Sequence, residues 1–406
     1  MKETSTMHKE HFDVLIVGAR VAGAATAMRL AASGARVLLI DRAPRLDDTL
    51  STHALMRPAV RLLARWGLIA PLLRAGTPVV REVAFHYGPR AITIPIRPDN
   101  DMPGLFAPRR TVLDKLLLEA ATETGADVRF STGFLGCYRN AAGRVTGARL
   151  LQADGSEAEI SADLLIGADG RQSVVAQAVG SLQARTAPDR TVVHYSYVPG
   201  IMNRGYRWFF APGMSAGAIP TNHGAHCVFA ACPREHAKVH FGSGGKPGTV
   251  SILDAFDSEL AEHVRTTEPL GKMHRFLGAD GHIRQRTGNG WALVGDAACF
   301  KDPATAHGIT DAFLDAEALA QSYIETGTVD DYCRIRDAAV KPVFEATQEI
   351  AAFGWDYPRL VHLHETMNAA IKDEDKSLTG APCQKQPQPM QAGQYDPVDQ
   401  GVVLCR

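Results

Sequence analysis

The sequence predicts an α/β protein: a Rossmann-like, parallel-sheet domain carrying an inserted mixed or antiparallel sheet, with helices at the C-terminal end. Three observations predict it. A strand-length apolar run, Phe12 to Val17, leads directly into Gly18-Ala19-Arg20-Val21-Ala22-Gly23 and then into small and apolar residues. Two more apolar runs end in comparable turns, Gly167-Ala168-Asp169-Gly170 and Gly295-Asp296-Ala297-Ala298. Between them, residues 191–230 are rich in aromatic and β-branched residues punctuated by Pro and Gly, a composition of sheet.

The first unit reads as βαβ. After Gly18, the residues Ala22, Ala24, Ala25, Ala27, Met28 and Leu30 suit a helix packed tightly on a sheet. A second apolar run, Val37 to Ile40, ends at Asp41, followed by Arg42, about 20 residues after the glycines, where an acid binds a ribose hydroxyl. The free N–H groups and positive dipole end of the helix favour a phosphate. Arg20 stands where the dinucleotide-binding pattern has its second glycine; its fork of donors suits pairing with phosphate.

Ser51-Thr52-His53 begins a helix that continues through Val60, Leu63 and Leu68. Strand pieces follow at 83–85 and 91–94, and Arg109-Arg110 leads into a helix over 112–122. Residues 127–159 alternate short strands with turns and return to the sheet at Leu164-Leu165-Ile166. Within the aromatic region, runs at 192–197, 206–210, 217–219 and 227–230 read as antiparallel strands. A helix over 251–264 comes next. Strand 291–294 reaches Gly295, a helix spans about 308–326, and further helix runs from 330 to about 370. Residues 371–406, rich in Gln, Pro, Lys and Asp, read as a flexible tail.

Taken in order, the three glycine turns are spaced like the contacts that hold one FAD. The stretch Asp163 to Val175, with Asp169-Gly170 at its centre, strongly resembles the Asp-Gly fingerprint of the p-hydroxybenzoate hydroxylase-like, group A, flavoprotein monooxygenases. Ala176 stands where that family's motif ends in Arg. Gly295-Asp296 through Pro303 resembles the same family's Gly-Asp fingerprint, and Ala306-His307-Gly308 stands where the family has Gly-x-Gly. The resemblance covers roughly Asp13 to Ala320. It implies a glutathione reductase/p-hydroxybenzoate hydroxylase type of fold, with an FAD-binding domain from 1–80, 105–180 and 285–330. The substrate sheet would come from 81–104 and 181–284, and C-terminal helices from 331–370. It assigns Gly18, Arg20, Ala22, Gly23, Asp41, Arg42, Arg110, Asp169, Gly170, Gly295, Asp296, Pro303, Gly308 and Ile309 to FAD, with Asp296 on the ribityl chain.

The activity implied is hydroxylation of a small or polycyclic aromatic substrate. NAD(P)H reduces FAD, O2 adds at flavin C4a, and the hydroperoxide passes OH to the substrate. Tyr197, Trp208, Phe210 and Phe229 are the candidate pocket residues, and His53, His307 and His194 the candidate catalytic ones. Period-2 alternation puts His194 and Tyr197 on opposite faces of their strand, so only one of those faces lines the pocket. An FAD-dependent reductase of the geranylgeranyl reductase-like type shares these motifs. A flavin halogenase also shares the fold, but Trp208-Phe209-Phe210 lacks the second Trp and the lysine that it needs.

Composition limits the rest. The net charge of −1, from 43 basic and 44 acidic residues, suggests no nucleic-acid partner. No apolar stretch reaches membrane-spanning length and Met1 to His11 is polar, so no membrane partner is expected and the location expected is cytoplasmic. Seven scattered cysteines show no Cys-x-x-Cys pair and fifteen histidines no metal spacing, so no metal is expected; His362 and His364 point to different helix faces. A monomer or homodimer is expected.

Overall fold

The computed structural model describes residues 10–99, 102–188, 190–242 and 245–379. Its first sheet grows from the strand Glu10–Val17, buried from Val14 onward, which runs parallel to Val37–Ile40 on one side and to Glu157–Gly167 on the other. The order continues outward to Asp127–Arg129 at one edge and through Trp291–Leu293 to Thr287–Gly288 at the other. Strands buried on both faces read as continuous apolar runs, which is why Val14 to Val17 and Val37 to Ile40 lack alternation. The hairpin Gly133–Arg139 and Val145–Leu151 joins this sheet by pairing antiparallel with the first half of Glu157–Gly167.

The second sheet has seven strands, in the order 274–276, 191–199, 225–233, 214–220, 206–211, 82–87, 90–95. All pairings are antiparallel except that of Tyr206–Ala211 with Glu82–Tyr87, which joins segments more than a hundred residues apart. Its two faces do different work. Tyr195, Tyr197, Trp208, Phe210 and Phe229 belong to the main core, shared with the first sheet and its helices. Val192, Phe209 and Val228 face a separate core beneath the helices Lys246–Asp254 and Ser258–Thr266. Those two helices replace the single one expected over 251–264. The break falls at Asp257, whose carboxylate accepts the Leu260 N–H at 2.9 Å and caps the second helix.

The C-terminal part also departs from expectation. Helix Asp330–Ala351 stops at Phe353, which has a left-handed φ of 54°, and a separate helix, Tyr357–Thr379, folds back across the molecule. It extends nine residues past the expected end at 370, so the tail's first residues are helical, and 380–406 lie outside the described residues. Earlier in the chain, Ser51 to His53 does not open a helix. The helix there is Arg57–Arg65, with Pro58 in its first turn, while His53 sits in a left-handed bend at φ 67°.

Candidate active site

The turn after the first strand has the shape that only glycine permits. Gly18 has φ 105°, and a Cβ on it would lie 2.5 Å from the Ala168 carbonyl oxygen. At Gly23 a Cβ would lie 1.8 Å from the Gly18 carbonyl oxygen, so helix Val21–Ala32 packs directly on the turn. No side chain caps this helix and its first turn holds no acid, leaving its N–H groups and positive end for an anion. Asp41 ties the second strand to the turn by accepting the N–H groups of Ala19 and Ala43, each at 2.9 Å, and each oxygen keeps a further lone pair. Arg42 is exposed.

Arg20 is not left free for phosphate. Its guanidinium donates to the Asp47 carbonyl at 3.0 Å and to Asp114 at 3.3 Å. The same Asp114 is held in a fork by buried Arg110 at 2.7 and 2.9 Å. Two cations and one carboxylate therefore flank the helix start, an excess of one positive charge. Asp169 has a structural duty: it accepts from Ser173 and from the N–H groups of Val174 and Val175, capping the helix Val174–Val179. Gly170 follows it at φ 80° with open space where a Cβ would be.

The late motif closes on the first. Gly295 has φ 60°, a Cβ there would lie 2.8 Å from the Ala22 methyl, and its N–H donates to Asp315 at 2.9 Å. Asp296 is half-buried and its carboxylate has no hydrogen-bond partner among the described residues. Burial pushes its carboxyl up to about 6, against the pull of Lys301 and Arg110. It faces Gly308, whose missing Cβ would lie 3.9 Å from its Oδ1. Pro303 starts a tight turn, Ala306 takes a left-handed φ of 53°, and Gly308 and buried Ile309 open the 19-residue helix Gly308–Thr326.

An open cavity lies beside this helix start. One wall is the second sheet, with Phe85, Trp208 and Phe210; another is helix Tyr357–Thr379, with His364, Met367 and Asn368; His307 closes the end nearest Gly308. His307 Nδ1 lies 2.6 Å from the Thr305 carbonyl, which only accepts, so Nδ1 carries the proton. In the neutral ring Nε2 is then the acceptor, and it is buried with no partner. Burial lowers the pKa of His307, which favours that neutral ring. His364 was passed over in the sequence because His-x-His lacks metal spacing. Here its Nδ1 pairs with the Tyr87 hydroxyl at 2.8 Å, and burial with nearby His307 pushes it down to about 4.

The other candidates separate. Phe229 packs on Trp208 with ring centroids 5.3 Å apart, on the same sheet face but outside the cavity lining. Tyr197 and His53 form a neighbouring cluster, His53 Nε2 lying 2.7 Å from the Tyr197 hydroxyl with Arg109 stacked 3.8 Å over the tyrosine ring. His53 is fully buried, its Nδ1 has no partner, and burial with Arg110 pushes it down to about 3. His194 is a correction: it stacks on Phe241 at 3.9 Å in the opposite core, away from the cavity, because its strand alternates.

The residues present fit FAD. The uncapped helix start beside Arg20 and Arg110 suits a pyrophosphate, Asp41 a ribose, and the unpartnered Asp296 carboxylate a sugar-alcohol chain that donates hydroxyl protons. Comparison with known proteins agrees. A family described as FAD binding domain matches residues 11–345. The chain is similar to a digeranylgeranylglycerophospholipid reductase of Methanosarcina mazei, 29% identical over 330 residues that cover 77% of this chain and 74% of that one. It also resembles an aklavinone 12-hydroxylase of Streptomyces purpurascens, 31% identical over 192 residues, 43% of this chain and 36% of the relative. Among solved structures, PqsL of Pseudomonas aeruginosa, described as a probable FAD-dependent monooxygenase, shares the fold. Its TM-score is 0.74 at 21% identity, covering 88% of this chain and 100% of that one.

Proposed function

The chain belongs to the FAD binding domain family of oxidoreductases, and from that premise we propose that it is a monooxygenase that hydroxylates an aromatic substrate held against His307. The observation that carries the reading is the buried, unpartnered Nε2 of His307, a residue that lines a cavity walled by Phe85, Trp208 and Phe210. FAD, when bound and reduced by NAD(P)H, supplies the activation of O2. The chain's own residues do the rest. Trp208 and Phe210 hold a flat ring by stacking, and helix Tyr357–Thr379 keeps water from it. His307 Nε2 takes the proton of a substrate hydroxyl, which makes the ring electron-rich where oxygen is to be added. Asp311, one turn into the helix, favours the imidazolium so formed.

The similarity to a digeranylgeranylglycerophospholipid reductase supports a second reading, in which the same apolar cavity holds an isoprenoid chain and a carbon–carbon double bond is reduced. One experiment separates them. The FAD-loaded protein is supplied with NAD(P)H, an aromatic panel and isotopically heavy O2, in parallel with prenyl substrates under anaerobic conditions. The monooxygenase reading expects one heavy oxygen in an aromatic product and no anaerobic turnover. Unlabelled, saturated product formed without O2 would establish the reductase instead.

A further inference from the structure

We infer that the cavity accepts an uncharged fused-ring phenol and rejects aromatic carboxylates, with Asn368 on the C-terminal helix as the specificity-determining residue. The inference rests on the reading of this cavity as the substrate site and adds the class of molecule that it takes. Among the described side chains that line the cavity, none carries a formal charge. Three buried cations outside the lining are committed to acids. Lys301 pairs with Asp311; Arg336 bonds to Asp311, Asp315 and Glu374; Arg61 bonds to Asp375 and Asp99. A carboxylate placed between Phe85, Phe210 and Trp208 would lose its hydration and gain no counter-charge, and an unpaired buried charge is strongly disfavoured.

The polar groups that do reach the cavity are neutral and complementary to hydroxyl and carbonyl oxygens. His307 Nε2 is a lone-pair acceptor, and among the described residues neither the Trp208 indole N–H nor the Asn368 amide makes a hydrogen bond. Asn368 stands one turn after His364 on the same helix face, and both reach the cavity. Three aromatic side chains of the second sheet, Phe85, Trp208 and Phe210, line the cavity as well, more aromatic surface than one benzene ring needs. Hydroxyl to His307 and a second oxygen to Trp208 or Asn368 would fix a two-ring or larger substrate at both ends.

The test uses the full-length, FAD-loaded protein at pH 7 and reads ligand binding from the perturbed absorbance and fluorescence of the flavin. The probes are 2-naphthol and 6-hydroxy-2-naphthoate, which share ring and hydroxyl and differ by one carboxylate. We expect 2-naphthol to bind at least about tenfold more tightly, and the preference to invert in Asn368→Arg, which places a cation in the same wall. Because Asn368→Arg is read by a gain of naphthoate binding, an unfolded variant cannot imitate the result. Equal or tighter binding of the naphthoate by the unaltered protein overturns the inference, as does no binding of 2-naphthol. An unchanged preference in folded, FAD-loaded Asn368→Arg overturns it too. Tight, selective binding of the phenol without oxygen transfer leaves it standing and counts against the monooxygenase reading alone.

Discussion

His307 and Ala306 show how one residue in a motif changes its chemistry. Glycine would be the undemanding residue at the left-handed position of Ala306, where φ is 53°, and a non-glycine residue there is held under strain of about 1–2 kcal/mol. That bend sets the next residue, His307, against the cavity. Replacing His307 by Asn should leave FAD content unchanged and lower kcat by about 10²–10⁴-fold, as expected for loss of a proton acceptor. Retention of full rate by folded, FAD-loaded His307→Asn would remove the residue from the mechanism. Because burial lowers the pKa of His307, the ring remains neutral through the neutral range. The acid limb of its pH–rate profile should therefore lie below the ordinary imidazole value of about 6.5, and an alkaline displacement of that limb would contradict the assignment. His307 was legible in the sequence because it interrupts a known glycine pattern. His364 was not, since nothing in a surface-like stretch, Val361-His362-Leu363-His364, says which helix face turns inward.

At the level of elements, the strand–turn–helix units were readable because close packing leaves marks in the sequence. Gly23 is one such mark: Gly23→Ala would drive a methyl into the Gly18 carbonyl, 1.8 Å away. We expect a loss of at least about 3 kcal/mol of stability and of bound FAD, checked by urea unfolding and by the flavin absorbance of the purified protein. Helix breaks were less readable. The interruption at Phe353-Gly354 and the cap at Asp257 depend on single residues within otherwise helical composition. Unreadable altogether was the buried ionic assembly that joins helices Gly308–Thr326 and Asp330–Ala351 to the late glycine turn. There Asp315 accepts from Arg286, from Arg336 at 2.7 Å and from the Gly295 N–H. Asp315 and these three partners come from four separate segments, and charged residues in helices ordinarily read as solvated. Asp315→Asn leaves two buried arginines short of an anion, and should cost about 3–5 kcal/mol in urea unfolding of the FAD-free protein. A loss under about 1 kcal/mol would mean that the assembly relaxes without it.

For the whole molecule, acid sensitivity follows from histidines buried in three different places. His53 is held down to about 3, and His194, His226 and His282 to about 4, in each case chiefly by burial. Unfolded, each would bind its proton near 6.5, so between about 6.5 and 4 the unfolded chain binds more protons and stability falls as pH falls. Asp296 works the other way in the FAD-free protein: its carboxyl, raised to about 6, favours the fold at low pH and loses that contribution as pH rises through that value. His364, also near 4, and His307 add to the first set, and the lowered histidines outnumber the raised acids Asp296, Asp302 and Glu374, so FAD-free protein should unfold with a midpoint above pH 4. Circular dichroism across an acid titration checks this; a fold intact at pH 4 would contradict it. The two-sheet plan was visible in the chain, whereas the parallel pairing of 206–211 with 82–87 was not, because sheet order across long insertions leaves no local trace. The same holds for the destination of helix Tyr357–Thr379, which lies beyond residue 345, where the family match ends. On the proposed reading of the cavity, this arrangement separates inheritance from choice of substrate. His364, Met367, Asn368 and Ile371 wall the cavity from a segment that holds none of the FAD-contact candidates. A few codon changes there could give the same cofactor machinery a new substrate, so two chains alike through the family region need not share a metabolic niche.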